Sequence, residues 1–214
     1  MVLKKYYNGV IYILIFSLVF LLSCGKNKAN TYYPKLSNSA TILALGDSLT
    51  EGYGASKGAD YPAQLSEITG IRVVNGGVSG DTSEQALSRL SSLISDKPDL
   101  IILCIGGNDF LRKIPETETR RNISAIIEKS QQENIPIMMI AVPYISMSAA
   151  FGMLQEHKLY DELAQKYNIA LLKGAWAEIL ANERLKSDQI HANDQGYRLF
   201  AEKVASFLKD NSII

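Results

Sequence analysis

Short apolar runs bounded by turn residues recur along the chain at 41–45, 71–75, 100–105 and 137–142, with a fifth at 169–172. Runs this short and this apolar predict strands buried on both faces. Stretches with helical spacing lie between them, at 61–69, 83–94, 116–134 and 149–167, and another at 193–208 closes the chain. Parallel strands need crossover connections, so this β-α-β-α alternation predicts an α/β domain whose five-stranded parallel sheet carries helices on both faces. No internal repeat interrupts the pattern.

The first residues break from it. Lys4 and Lys5 precede an apolar stretch from about Val10 to Leu22, the charged and hydrophobic regions of a secretory leader. That stretch ends in Leu21-Leu22-Ser23-Cys24-Gly25, which resembles the lipobox of bacterial lipoproteins. On this reading residues 1–23 are a signal peptide and Cys24 is the lipidated first residue of the mature protein. The competing reading is an uncleaved membrane helix over residues 6–22. Either places the domain outside the cytoplasm, at a membrane of the cell envelope. Residues 24–39, rich in Asn, Thr, Pro and Ser near their end, then read as a tether to a domain over 40–210.

Lys plus Arg equals Asp plus Glu, 22 against 22, so no basic field exists to hold a nucleic-acid backbone. Two cysteines in unlike contexts imply no disulfide framework, and the two histidines, His157 and His191, belong to no metal-ligand spacing. Neither a metal nor a cofactor is expected. Oligomeric state leaves no mark on the sequence.

Ligands of open parallel sheets bind beyond the C-terminal ends of the strands. Three polar or glycine-rich clusters fall there: Gly46-Asp47-Ser48, residues 75–81, and Gly106-Gly107-Asn108-Asp109. A serine hydroxyl is a poor nucleophile at neutral pH and needs a base, a group that orients the base, and donors for the developing oxyanion. Ser48, on a turn at a strand end, is the candidate nucleophile. His191 is the candidate base, and Asp188, three residues upstream, can reach its second ring nitrogen. The backbone N–H of Ser48, an N–H near Gly80 and the side-chain amide of Asn108 are candidate oxyanion donors.

Residues 46–54 (Gly-Asp-Ser-Leu-Thr-Glu-Gly-Tyr-Gly), Ser79-Gly80-Asp81-Thr82, Gly106-Gly107-Asn108-Asp109 and Asp188-Gln189-Ile190-His191 together resemble the four ordered blocks of the GDSL or SGNH hydrolases. The likeness is to the branch containing arylesterases and a thioesterase that is also a lysophospholipase. It implies a flavodoxin-like three-layer α/β/α fold, Ser48 as nucleophile, Asp188 and His191 as its partners, and an oxyanion hole from Ser48, Gly80 and Asn108. Ala192 departs from the pattern, since many members carry proline after the histidine. The expected substrate is a small or lipid ester, with thioesters and lysophospholipids included. A cell-envelope polysaccharide O-acetyl esterase is the alternative, and a catalytically silent lipid- or glycan-binding lipoprotein is the reading outside enzymes.

Asp47, Asp81 and Asp109 sit at strand ends and could be taken for an acidic Mg²⁺ site, but loop-holding hydrogen bonds are the better reading. His157 has no acidic partner at matching spacing and reads as a surface or lid residue. Tyr144, Met147, Phe151 and Met153 follow the fourth strand and are candidates for the wall of an acyl or aryl pocket.

Overall fold

The computed structural model describes residues 33–144 and 155–214. Five parallel strands form the central sheet: β1 (Thr41–Gly46), β2 (Arg72–Gly77), β3 (Leu100–Cys104), β4 (Ile137–Ile140) and β7 (Leu171–Leu172), in the order β2-β1-β3-β4-β7. That order is the flavodoxin-like one, with β1 next to both β2 and β3. Strands β1, β3 and β4 are buried almost throughout. Strand β2 is paired on one side only, and most of its residues are partly or fully exposed. A two-stranded antiparallel ribbon, β5 (Pro143–Tyr144) with β6 (Gln155–Glu156), branches off after β4.

The helices fall into two packed groups. Helices α2 (Tyr61–Thr69) and α7 (Ala175–Ala181) each pack against α8 (Asp194–Asp210), and α3 (Ser83–Leu93) and α6 (Leu159–Tyr167) each pack against α5 (Glu116–Gln132). Two short helices follow strand ends, α1 (Ser48–Glu51) after β1 and α4 (Gly107–Leu111) after β3. Capping chemistry sets several boundaries. The Asp60 side chain accepts from Ala63 N–H ahead of α2, Thr82 and Gln85 form a reciprocal capping box on α3, and Asn193 accepts from Gly196 N–H on α8.

The helix expected over 149–167 is shorter. Residues 155–156 are extended in the ribbon, and α6 begins only at Leu159. Helix α7 was not expected, because its seven residues are too few to display a period. The strand expected to run to 142 stops at Ile140 as the chain turns into the ribbon.

The stretch expected to serve as a tether contributes to the fold. Tyr33 is buried, its hydroxyl donates to the Ile137 carbonyl at 2.8 Å and accepts from Ala170 N–H at 2.8 Å, and Leu36 N–H donates to the Ile213 carbonyl. Tyr33 thus relays a hydrogen bond between the start of β4 and the approach to β7, and burial pushes its hydroxyl up to about 12. The domain therefore begins no later than Tyr33 and includes Ile213, which is fully buried. The expected leader, residues 1–23, and Cys24 lie outside the described residues.

Replacing Tyr33 with Phe leaves Ala170 N–H and the Ile137 carbonyl without this partner. It is expected to lower stability by about 1–3 kcal/mol, read as a shift in urea midpoint at constant m-value. An unchanged midpoint would remove the relay from the account of the fold.

Candidate active site

Ser48 stands at the first position of α1, just past β1. Its helix is capped by Asp47, whose Oδ1 accepts from Leu49 N–H at 3.1 Å. The cap turns the chain sharply at the sheet edge and leaves Ser48 only partly buried. Across the crevice, His191 Nε2 lies 3.0 Å from Ser48 Oγ, and His191 Nδ1 lies 2.7 Å from Asp188 Oδ2. When neutral, an imidazole whose Nδ1–H donates to a carboxylate must present its lone pair at Nε2, facing the hydroxyl. Burial pushes the Asp188 carboxyl up, but the N–H of Ile190, the His191 ring and the N–H of His191 outweigh it and leave it below the usual range. Asp188 is therefore an anion at neutral pH, suited to hold the imidazole and to stabilise an imidazolium.

The loop bearing both residues is closed by backbone bonds from Ser187 N–H to the His191 carbonyl and from Asn193 N–H to the Leu185 carbonyl, at 3.0 and 2.9 Å. These flank a bridge between Lys186 and Ala192. The ladder uses the neighbours' N–H groups and leaves out that of Ala192, so its stiffness does not require proline there.

The second strand-end loop is fixed from several sides. Val78 N–H donates to the Gly46 carbonyl, Ser79 N–H and Oγ both donate to Glu51 Oε2, and Arg112 Nη2 donates to the Gly80 carbonyl at 2.7 Å. Gly80 has φ +82°, a backbone state that favours glycine. Among the described residues, neither the N–H of Ser48 nor that of Gly80 donates to an acceptor. Asn108, on α4, directs its amide at the Asp81 carbonyl, 3.0 Å away, and at Asp47 Oδ2, 3.4 Å away. The second contact is long and is the weaker of the two.

Arg89, on α3, anchors this edge. Its Nε donates to Asp81 Oδ2 at 2.7 Å, Nη1 to the Gly76 carbonyl at 2.7 Å and Nη2 to the Gly46 carbonyl at 2.9 Å. One rigid fork thus joins the ends of β1 and β2 to the loop that carries Gly80. Sequence reading passed over Arg89 and Arg112, and gave no role of their own to Glu51 or to Tyr53, whose ring packs on His191. For Arg89 a signal existed: it falls three residues after the buried Ala86, near the helix face turned to the sheet, where a charge needs a partner.

The three strand-end aspartates hold loops. Asp47 caps α1, Asp81 pairs with Arg89, and buried Asp109 accepts from Ser83 N–H at 2.8 Å, from Ser83 Oγ and from Thr119 Oγ1. Among the described residues no group of three or more His, Cys, Asp or Glu side chains is placed to hold a metal. His157 is packed and lies apart from the Ser48 relay: its ring stacks on Phe110 at 4.8 Å, its Nδ1 accepts from Leu159 N–H, and Glu116 lies 3.7 Å away. Of the expected pocket residues, Tyr144 packs edge-on to Phe110 and is 39% exposed. Met147, Phe151 and Met153 lie outside the described residues.

The family described as the GDSL-like Lipase/Acylhydrolase family matches residues 44–199. The chain is 32% identical over 177 residues to Thioesterase 1/protease 1/lysophospholipase L1 of Escherichia coli, covering 79% of this chain and 83% of that one. It is 30% identical over 179 residues to an arylesterase of Vibrio mimicus, covering 79% and 88%. Among solved structures it resembles AlinE4, an SGNH-hydrolase family esterase, with 33% identity, TM-score 0.61 and coverage of 82% and 96%.

Burial pushes the Asp47 carboxyl up to about 7; the Leu49 N–H opposes this, and the Asp109 carboxylate adds to it. The fold therefore holds this proton more tightly than the unfolded chain does. Its stabilising contribution is fully present below pH 3.8, the ordinary carboxyl value, and is lost as pH rises through about 7. Asp47→Asn is expected to flatten this part of the fall in stability between about pH 5 and 8, worth at most ~4 kcal/mol. Urea midpoints at the two pH values measure it, and an unaltered pH slope in the variant would count against Asp47 as the titrating group.

Proposed function

We propose, from the premise that the chain belongs to the GDSL-like Lipase/Acylhydrolase family and is a serine ester hydrolase, that Ser48 is its nucleophile, His191 its base and Asp188 the group that orients the base. The supporting observation is the unbroken relay from Ser48 Oγ through the imidazole to the Asp188 carboxylate, at 3.0 and 2.7 Å. As Ser48 Oγ bonds to the ester carbonyl carbon, Nε2 takes the hydroxyl proton and the carbonyl electron pair moves to oxygen. The resulting oxyanion is received by the N–H groups of Ser48 and Gly80 and by the Asn108 amide. Collapse of the adduct breaks the bond to the leaving group, which takes the proton from Nε2 and departs. Water, deprotonated by the same imidazole, then releases the acid and restores Ser48.

The names of the relatives direct the choice of substrates. One is a thioesterase and lysophospholipase and another an arylesterase, so acyl thioesters, lysophospholipids and aryl esters are this chain's proposed substrates. The leader-like residues 1–23 and the lipobox-like sequence at Cys24 support a further proposal, that the enzyme works outside the cytoplasm on a lipid anchor.

Ser48→Ala is expected to abolish both ester turnover and covalent labelling by a fluorophosphonate, and survival of either would take Ser48 out of the role. Asp188→Asn should retain labelling at a reduced rate and lower kcat by roughly 10³–10⁴-fold. A comparison of acetyl with octanoyl esters decides between polysaccharide deacetylation, which requires strong acetyl preference, and action on longer acyl chains. Cys24→Ser should move the protein from the membrane fraction to the soluble extracytoplasmic fraction; unchanged fractionation would argue against the lipid anchor.

A further inference from the structure

Tyr53 is an exposed large residue, 55% accessible, beside the candidate base. Its ring centroid lies 4.5 Å from that of His191, with the planes inclined by 44°. The placement is built in. Tyr53 N–H donates to the Ser48 carbonyl at 3.0 Å, and the Tyr53 carbonyl accepts from the buried Tyr197 hydroxyl at 2.9 Å. The next residue, Gly54, has φ +86° and lies so close to Ser187 and the Ala192 carbonyl that any side chain there would collide with the histidine loop. The backbone carrying the ring is thus bonded to the nucleophile's turn, to α8 and against the loop of the base.

Proton transfer dictates what comes near that ring. In acylation His191 Nε2 must protonate the departing oxygen, which requires the two atoms to approach within about 2.6–3.2 Å. The leaving group is therefore the part of the substrate brought to the imidazole, and the atoms beyond its oxygen pass beside the ring that covers the imidazole. More than half of the Tyr53 residue surface is accessible, and aromatic rings associate well with flat apolar partners. Resting on the assignment of Ser48 and His191 above, we infer that Tyr53 is the platform of the leaving-group subsite and selects esters whose leaving group is an aryl alcohol. In the acyl-enzyme the leaving group has gone and water takes its place at Nε2. Tyr53 then contributes to the first half of the reaction and not to the second.

The test compares two esters with the same acyl group, phenyl acetate and ethyl acetate, on the whole protein. Tyr53→Ala is expected to lower kcat/KM for phenyl acetate roughly three- to tenfold, the effect of one lost aromatic contact, and to leave the ethyl ester within about twofold. Rapid mixing should locate the loss in acylation, with hydrolysis of the acetyl-enzyme at the wild-type rate. Tyr53→Phe should retain the aryl preference and Tyr53→Leu should lose it. An equal loss with both esters, or slower hydrolysis of the acetyl-enzyme, would mean that the ring only supports His191 and would overturn the assignment. Ser48→Ala run in parallel separates the two levels. If it still turns over phenyl acetate, the nucleophile is wrong; if it is inert and the Tyr53 losses are uniform, only the subsite fails.

Discussion

A parallel sheet obliges every connection to cross back over one of its faces, so the polar residues that follow its strands collect at a single edge. In this chain β1 is paired on both sides, which puts the turn of Ser48 between the loop that carries Gly80 and the helix that carries Asn108. The His191 loop arrives from 143 residues away to complete the group. None of these parts is near another in sequence except Asp188 and His191. Their meeting is a property of strand order.

Strand order alone leaves loop ends free to move, and buried polar side chains hold them. The Arg89 fork binds two strand-end carbonyls and the Asp81 carboxylate, the Asp47 carboxyl group caps the helix that begins with Ser48, and buried Asp109 links the starts of α3 and α4 to α5. An unpaired charge in such places would be costly, and removing one partner leaves that cost uncompensated. The network makes the resting positions of the N–H groups of Ser48 and Gly80 part of the fold.

Much of this was legible from residue order. Strands β1, β3 and β4 are apolar on both faces and could be read directly, and α2, α3 and α8 announced themselves by their spacing. Asp188 and His191 were legible because their partnership is local, three residues apart on one tight loop. The residues that escaped notice have distant partners: Arg89 meets the Gly46 carbonyl across 43 positions, and Tyr53 meets its ring partner only through the fold. Residues 155–156 were misread as helix because two ribbon residues in a polar stretch have no period to display. Tyr33 was misread for a related reason, since a lone aromatic in a polar segment carries no pattern, and its two hydrogen bonds depend on strands that begin about a hundred residues later.

The Tyr33 relay also fixes where the polypeptide enters the domain. Ile137 and Ala170 lie at the beginnings of their strands, so entry is at the sheet margin opposite Ser48. Tyr33 lies nine positions after Cys24, a span of at most ~30 Å when fully stretched. Were a lipid held at Cys24, this short leash would attach at the pole away from the crevice.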